Sequence, residues 1–237
     1  MAARSYGQYC GVTTAVELIG ERWALLIVRD LLVGPRRYTD LKQGLPRIPT
    51  NILATRLKEL QGGGVVRRVS LKNCGLVYEL TPYGRALEPI VLAIGRWGFQ
   101  AMGEPAPDDV VTPDSLTMAL RTSFQSSWAG RLDIELHVGD VALRVQAADG
   151  VLRIAQLAPP APPVGGAVPA GEPDAVIVAG PGIRLLIAGT VTGAEAIEND
   201  IVAVVRGDER MLDTFASAFH IAPVTVHEPS ELQGSAS

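Results

Sequence analysis

Cysteine is nearly missing from this 237-residue chain: Cys10 and Cys74 are the only two. Two thiols cannot build a disulfide framework or a zinc ligand set, and reduced thiols in a cytoplasm are the expectation. Histidine is almost as scarce. His137, His220 and His227 have no Cys or carboxylate partner at metal-ligand spacing, so no metal and no cofactor is expected. Neither a serine elbow nor a phosphate-cradling glycine motif occurs, and Gly180-Pro-Gly182 reads as a loop before a helix. Without a nucleophile or base to nominate, the chain does not read as an enzyme. Aromatic residues make up 5% of it against a hydrophobic fraction of 47%, so its cores must be aliphatic. No apolar run approaches the ~18–20 residues of a membrane helix, and Met1 to Gly7 lacks the apolar core of a secretion signal. The expected location is cytoplasmic, away from any membrane.

What is present is a division of charge near Gly103. Residues 1–103 carry 14 Lys and Arg against 7 Asp and Glu, or +7; residues 104–237 carry 7 Arg against 18 acids, or −11. The overall −4 conceals a basic module joined to an acidic one. Attraction to phosphate needs excess Lys and Arg on one module only, so the first half is the one suited to a polyanion.

Proline and glycine mark the organisation. Gly103 to Asp114, with three prolines and four acids, reads as a linker. Pro159 to Pro173, with six prolines and three glycines, reads as an irregular insertion within the second half. The expected units are a domain over 1–103, a linker over 104–113, a second domain over 114–228 and a disordered tail over 229–237. In the first, apolar residues recur at helical spacing from about Thr13 to Val33. A short helix capped by Thr39 runs through Gly44, and another spans Thr50 to Gln61, stopped by Gly62-Gly-Gly64. Strand-like runs at Val65–Leu71 and Leu76–Thr81 form a hairpin. Thr81-Pro82 opens a helix to about Met102. Helix, short helix, helix, hairpin, helix is the order of a winged helix-turn-helix, whose second paired helix enters the major groove while the hairpin wing follows the backbone.

Leu53, Leu57 and Leu60 must point into the core of that recognition helix. At about 100° per residue, Asn51, Thr55 and Lys58 then face away from it, and Thr50 stands at the amino end. Asn suits adenine, Thr a thymine methyl, and Lys a phosphate or guanine. Arg56 lies nearer the core flank and is assigned a structural role. A solvated face would carry similar residues, but here basic groups frame the helix: Arg36 and Arg37 at the preceding turn, Arg47 between the two helices, and Arg67, Arg68 and Lys72 on the wing.

The stretch from Cys10 through Leu18-Ile-Gly-Glu-Arg-Trp-Ala-Leu-Leu-Ile-Val-Arg-Asp-Leu-Leu-Val-Gly-Pro-Arg-Arg-Tyr-Thr-Asp-Leu41 resembles the opening of HxlR-type bacterial transcription regulators. Ile48-Pro-Thr-Asn-Ile-Leu-Ala-Thr-Arg-Leu-Lys-Glu-Leu60 and Tyr78-Glu-Leu-Thr-Pro-Tyr-Gly-Arg-Ala-Leu87 continue the match, which covers roughly residues 8–100. Arg22 stands where the family often has Lys, and Gly62-Gly-Gly64 replaces an acidic-then-Gly helix end. The resemblance implies a homodimer on a pseudo-palindromic operator, with two recognition helices about one DNA turn, ~34 Å, apart. It assigns part of the stripe Leu87, Ile90, Val91, Ile94 and Trp97 to the dimer interface, where periodicity alone allows burial within one domain. It also implies that Cys10 senses oxidants or electrophiles, whereas the residue pattern favours a small buried core thiol.

The second half reads as a helix from about Pro113 to Trp128, then an antiparallel meander of three strands (Leu132–Val138, Val141–Ala147 and Val151–Leu157). A strand at Asp174–Val178, helices near Gly182–Ile187 and Ala194, a strand at Ile201–Val205 and a helix from Asp208 to Phe219 follow. The fold class is α+β: a winged helix-turn-helix plus an antiparallel sheet with helices on one face. Its element order resembles the sterol carrier protein type 2-like domain, which implies an apolar tunnel. Val176, Val178, Leu185, Leu186, Phe215 and Phe219 are its candidate lining, or else plain core. The expected partners are therefore double-stranded DNA, a second copy of the chain, and a lipid or other apolar small molecule that modulates binding. Alternatives remain: an interaction module in the second half with control through Cys10 and no ligand pocket, or a lipid carrier with a vestigial helix-turn-helix.

Overall fold

The computed structural model describes residues 5–72, 74–157 and 170–224. His227, the tail 229–237 and most of the proline-rich run lie outside them.

The first helix expected from the sequence is two helices, α1 (Gly11–Ile19) and α2 (Ala24–Val33). Gly20 closes α1: its N–H donates to the Val16 carbonyl at 2.8 Å, and a Cβ there would lie 2.5 Å from that oxygen. Trp23 then takes a left-handed conformation at φ 81°, with the Arg22 guanidinium 5.3 Å from its ring centroid. α3 (Tyr38–Gly44) follows. Thr39 lies inside it rather than capping it; the Asp40 carboxylate accepts the Arg37 N–H at 2.8 Å instead. α4 (Thr50–Gly62) buries Leu53, Leu57 and Leu60, each such side chain contributing about 1.5–3 kcal/mol.

The hairpin pairs β1 (Val66–Leu71) with β2 (Gly75–Leu80), antiparallel. Thr81 caps the next helix as expected, accepting the Gly84 N–H at 3.1 Å. That helix breaks into α5 (Pro82–Arg85) and α6 (Glu88–Phe99). Pro89 has no N–H to give the Arg85 carbonyl, so the chain turns and restarts.

The second half begins with α7 (Pro113–Ser123), where Thr112 accepts the Ser115 N–H at 3.2 Å. The helix stops short of Trp128 because Phe124 pairs with Phe219 as an isolated bridge and the Ser123 carbonyl takes the His220 N–H at 2.8 Å. β3 (Arg131–Val138), β4 (Val141–Ala148) and β5 (Val151–Gln156) form the expected antiparallel meander. β6 (Ala175–Ala179), α8 (Ile183–Ile187), α9 (Gly193–Glu198), β7 (Val202–Arg206) and α10 (Met211–Ala218) complete the chain. α10 starts later than Asp208, because that carboxylate turns back to accept the Arg210 N–H at 2.9 Å.

The sheet order is β5-β4-β3-β6-β7, and β6 runs parallel to β3. The sheet is therefore mixed, where an antiparallel one was expected. A parallel neighbour needs a crossover of a dozen or more residues, and the stretch 157–174 supplies that length. Alternate strand residues, among them Ile134, Leu136, Leu143, Val145 and Ile177, face the helices and form one core with Leu120, Leu186, Phe215 and Phe219.

The two halves share α7. Its Leu116 and Leu120 belong to the sheet's core, while Met118 belongs to the core of α2, α3 and α4. The Gln100 side chain, just past α6, bonds the Ala222 carbonyl at 3.1 Å and the Val224 N–H at 2.9 Å. Among the described residues no helix is long and apolar enough to cross a membrane.

Candidate nucleic-acid interface

α4 packs its leucines inward and exposes Thr50, Asn51, Ala54 and Lys58. Two contacts fix its first turn: the Tyr38 hydroxyl donates to the Thr50 carbonyl at 2.7 Å, and the Thr55 hydroxyl donates to the Asn51 carbonyl at 2.9 Å. Thr55 is half-buried, so it offers its methyl more readily than its hydroxyl. Arg56 turns to Glu59 and to Glu21, the latter at 2.9 Å, which ties α4 to the α1–α2 turn in the structural role expected of it.

The wing presents Arg67, Arg68 and Lys72, all exposed. Adjacent strand residues point to opposite faces, so Arg67 and Arg68 serve different sides. Arg67 pairs with Glu79 at 2.6 Å, and Arg68 lies over the Tyr78 ring, 5.9 Å from its centroid. Arg37 is exposed and braces the wing tip, its Nε donating to the Cys74 carbonyl at 2.9 Å. Arg47 is exposed between α3 and α4, and its Nη2 donates to the Asp108 carbonyl at 3.0 Å. The expected linker is thereby pinned against the helix-turn-helix.

Arg36 corrects the expectation of a phosphate contact. It is 3% exposed. Its Nε and Nη2 grip the two Asp114 carboxylate oxygens at 2.9 and 2.5 Å, and its Nη1 donates to the Pro35 carbonyl at 3.0 Å. The Gln156 amide donates to the same Asp114 at 2.9 Å. A buried bidentate pair of this kind joins domains and cannot reach a DNA backbone. The Arg36 backbone, meanwhile, exchanges hydrogen bonds with Tyr78 of β2 at 3.0 and 2.7 Å, adding a third edge to the wing.

Asp30 completes the cluster and was missed in the sequence. It is 1% exposed. Its Oδ1 accepts from Arg29 at 2.8 Å, while its Oδ2 has no hydrogen-bond partner among the described residues. Burial pushes its carboxyl up to about 7; Arg29 opposes that rise and the nearby Asp114 charge adds to it. A Cβ on Gly44, at the end of α3, would lie 2.9 Å from Asp30 Oδ2 and 4.0 Å from Asp114 Oδ2, so both carboxylates converge on that glycine. The available signal was a lone acid among the apolar residues of α2.

The apolar stripe of α6 divides. Leu87 and Val91 pack against the core of the first half. Ile90, Ile94 and Trp97 point outward, Trp97 at 79% exposure, and with Pro89 and Ala93 they line a shallow groove of about 460 Å³. Cys10 is exposed at the start of α1, not a core thiol. The Thr13 and Val12 N–H groups lower its pKa. Cys74 is half-buried near the wing tip.

The tunnel expectation also needs correction. Val176 and Val178 alternate with the core residues of β6 and lie on the sheet's outer face, Val178 at 41% exposure. Leu186, Phe215 and Phe219 are buried on the other face, with the two phenyl centroids 4.7 Å apart, and Leu185 is half-buried. The six residues do not enclose one space.

A helix pair with an exposed polar recognition face, backed by a basic hairpin, defines a winged helix-turn-helix DNA-binding protein. The chain matches the HxlR-like helix-turn-helix family over residues 18–105. The Bacillus subtilis HTH-type regulator YvaP is 39% identical over 88 residues, which is 36% of this chain and 82% of that protein. YkvN, from the same organism, is 32% identical over 113 residues, 46% of this chain and 96% of that one. Among solved structures, quinone-bound YodB from B. subtilis is 34% identical over 38% of this chain and 96% of its own, with a TM-score of 0.34. The chain belongs to the HxlR-like family of transcriptional regulators.

Proposed function

We propose that the protein binds double-stranded DNA as a homodimer and regulates transcription, reading a pseudo-palindromic operator with the Thr50, Asn51, Thr55 and Lys58 face of α4. The single observation that carries this reading is that face, with Thr50, Asn51 and Lys58 exposed and Thr55 half-buried opposite three buried leucines. Arg37, Arg67, Arg68 and Lys72 supply phosphate contacts around it, and Arg47 joins them on release from Asp108. The outward groove of α6 supplies the second-copy contact, since Ile90, Ile94 and Trp97 otherwise leave apolar area in water. DNA binding of this kind takes place in the cytoplasm. The placement of Val176 and Val178 on the opposite sheet face from Leu186, Phe215 and Phe219 supports a positioning module rather than a tunnel lined by these six residues.

Anisotropy titrations of the full chain on its own promoter DNA, over a series of salt concentrations, test the reading. Lys58→Ala should lower the magnitude of the salt slope by about 1, and Asn51→Ala should cost about 1–3 kcal/mol at the operator with less effect on random DNA. Unchanged affinity in both variants refutes the assignment of α4. A second reading, control through Cys10, is favoured by its exposure and lowered pKa. Alkylation of Cys10 that leaves operator affinity unaltered would remove it.

A further inference from the structure

Among the described residues, three of the four buried charged side chains, Asp30, Arg36 and Asp114, lie where the two halves meet. We propose that Asp30, Arg36 and Asp114 form a proton-sensitive joint through which the second half positions the wing for DNA. This rests on the DNA-binding reading above.

Arg36 is the link. Its side chain grips Asp114 at the start of α7, and Gln156 of β5 holds the same carboxylate. Its backbone is hydrogen-bonded in both directions to Tyr78 of β2. A displacement of α7 is therefore passed to the wing through one residue. Asp114 and Gln156 touch no DNA; they are positioning residues.

Asp30 is the sensor. The charged groups around it are Arg29 on its own helix, Arg36 from the following turn and Asp114 from α7. Arg121, further along α7, donates to the Leu32 carbonyl at 3.0 Å and lies 3.6 Å from Glu88. From α3 the uncharged Gly44 meets this point, and no charged residue of α3 is among the groups that shift Asp30. While Asp30 is protonated, Asp114 is the one carboxylate that Arg36 has to neutralise. When Asp30 gives its proton to solvent, a second buried anion stands beside Asp114 with one unpartnered oxygen and competes for Arg36. Like charges in so dry a site cannot share one cation without loss. The grip on α7 slackens, and the wing loses a fixed edge. Because a preorganised wing binds more tightly than a loose one, operator affinity falls as pH rises through the neutral range.

The test compares operator affinity of the full-length wild type and Asp30→Asn at pH 6 and pH 8, at constant ionic strength. Asn mimics the neutral carboxyl and leaves the histidines and Cys10 unchanged, so their titration cancels in the comparison. The wild type should lose at least about fivefold more affinity than the variant between the two pH values, the low end of ordinary coupling between sites. Native-state hydrogen exchange, corrected for intrinsic rate, supplies a readout independent of DNA. Amides at the start of α7 should lose protection at pH 8 in the wild type but not in Asp30→Asn. Equal pH profiles for both proteins, or α7 protection that ignores Asp30, overturn the joint. If neither protein binds DNA at either pH, the DNA reading fails while hydrogen exchange still decides the joint.

Discussion

Replacing Asp30 with Asn should make the protein more stable at pH 8. Burial raises this carboxyl from an ordinary 3.8 to about 7 in the folded state, a rise of about 3 units, each worth 1.36 kcal/mol. The folded pKa lies above the unfolded one. Between about pH 4 and pH 7 the native state holds a proton that the unfolded chain has released, and stability declines with rising pH. Below pH 4 none of it has been lost; above pH 7 about 4 kcal/mol has. Asn carries no such proton, so the stability difference between variant and wild type should shift by about 3 kcal/mol in the variant's favour from pH 5 to pH 8. Urea unfolding at several pH values in that range, at fixed ionic strength, measures it. All other titrating groups are common to both proteins and drop out. A constant difference across the range would refute the reasoning, because it would mean that Asp30 ionises in the native state much as it does in the unfolded chain.

Two further outcomes follow from packing. Gly84→Ala should destabilise by about 2 kcal/mol or more, because its Cβ would lie 2.1 Å from the Val65 carbonyl oxygen; an unchanged midpoint in thermal melting would show that the approach of α5 to Val65 is looser. Ile94→Asp should convert the proposed dimer to monomers by placing a charge in the α6 groove, read by sedimentation at matched concentration. A variant with the wild-type mass would move the self-contact away from α6.

The exposed polar face of α4 was legible because three leucines at helical spacing leave only one face for Asn51 and Lys58. The cap at Thr81 and the β3–β4–β5 meander were legible for a similar reason: a local residue pattern suffices to set them. Arg36 was misread because its neighbour Arg37 has the same charge and an exposed side chain. Only the path of the chain after α2 turns one of them inward, toward an acid 78 positions away. The parallel pairing of β6 was hidden because strand patterns do not record direction, and a long connection permits either. Gly20 and Pro89 did signal the two helix breaks, but periodicity runs across both and masks them. Val176 and Val178 were assigned to a tunnel through the resemblance to a sterol carrier protein-like domain, although their period of two already separated them from Ile177.

α7 has a consequence for how this protein comes apart. One helix supplies Leu116 and Leu120 to one core and Met118 to the other. Melting either core therefore strips the other of a wall. The halves differ in charge and in architecture, yet sharing α7 should couple their unfolding, and calorimetry should show one transition rather than two. A cut before α7 takes Met118 from the first core, and a cut after it takes Leu116 and Leu120 from the second.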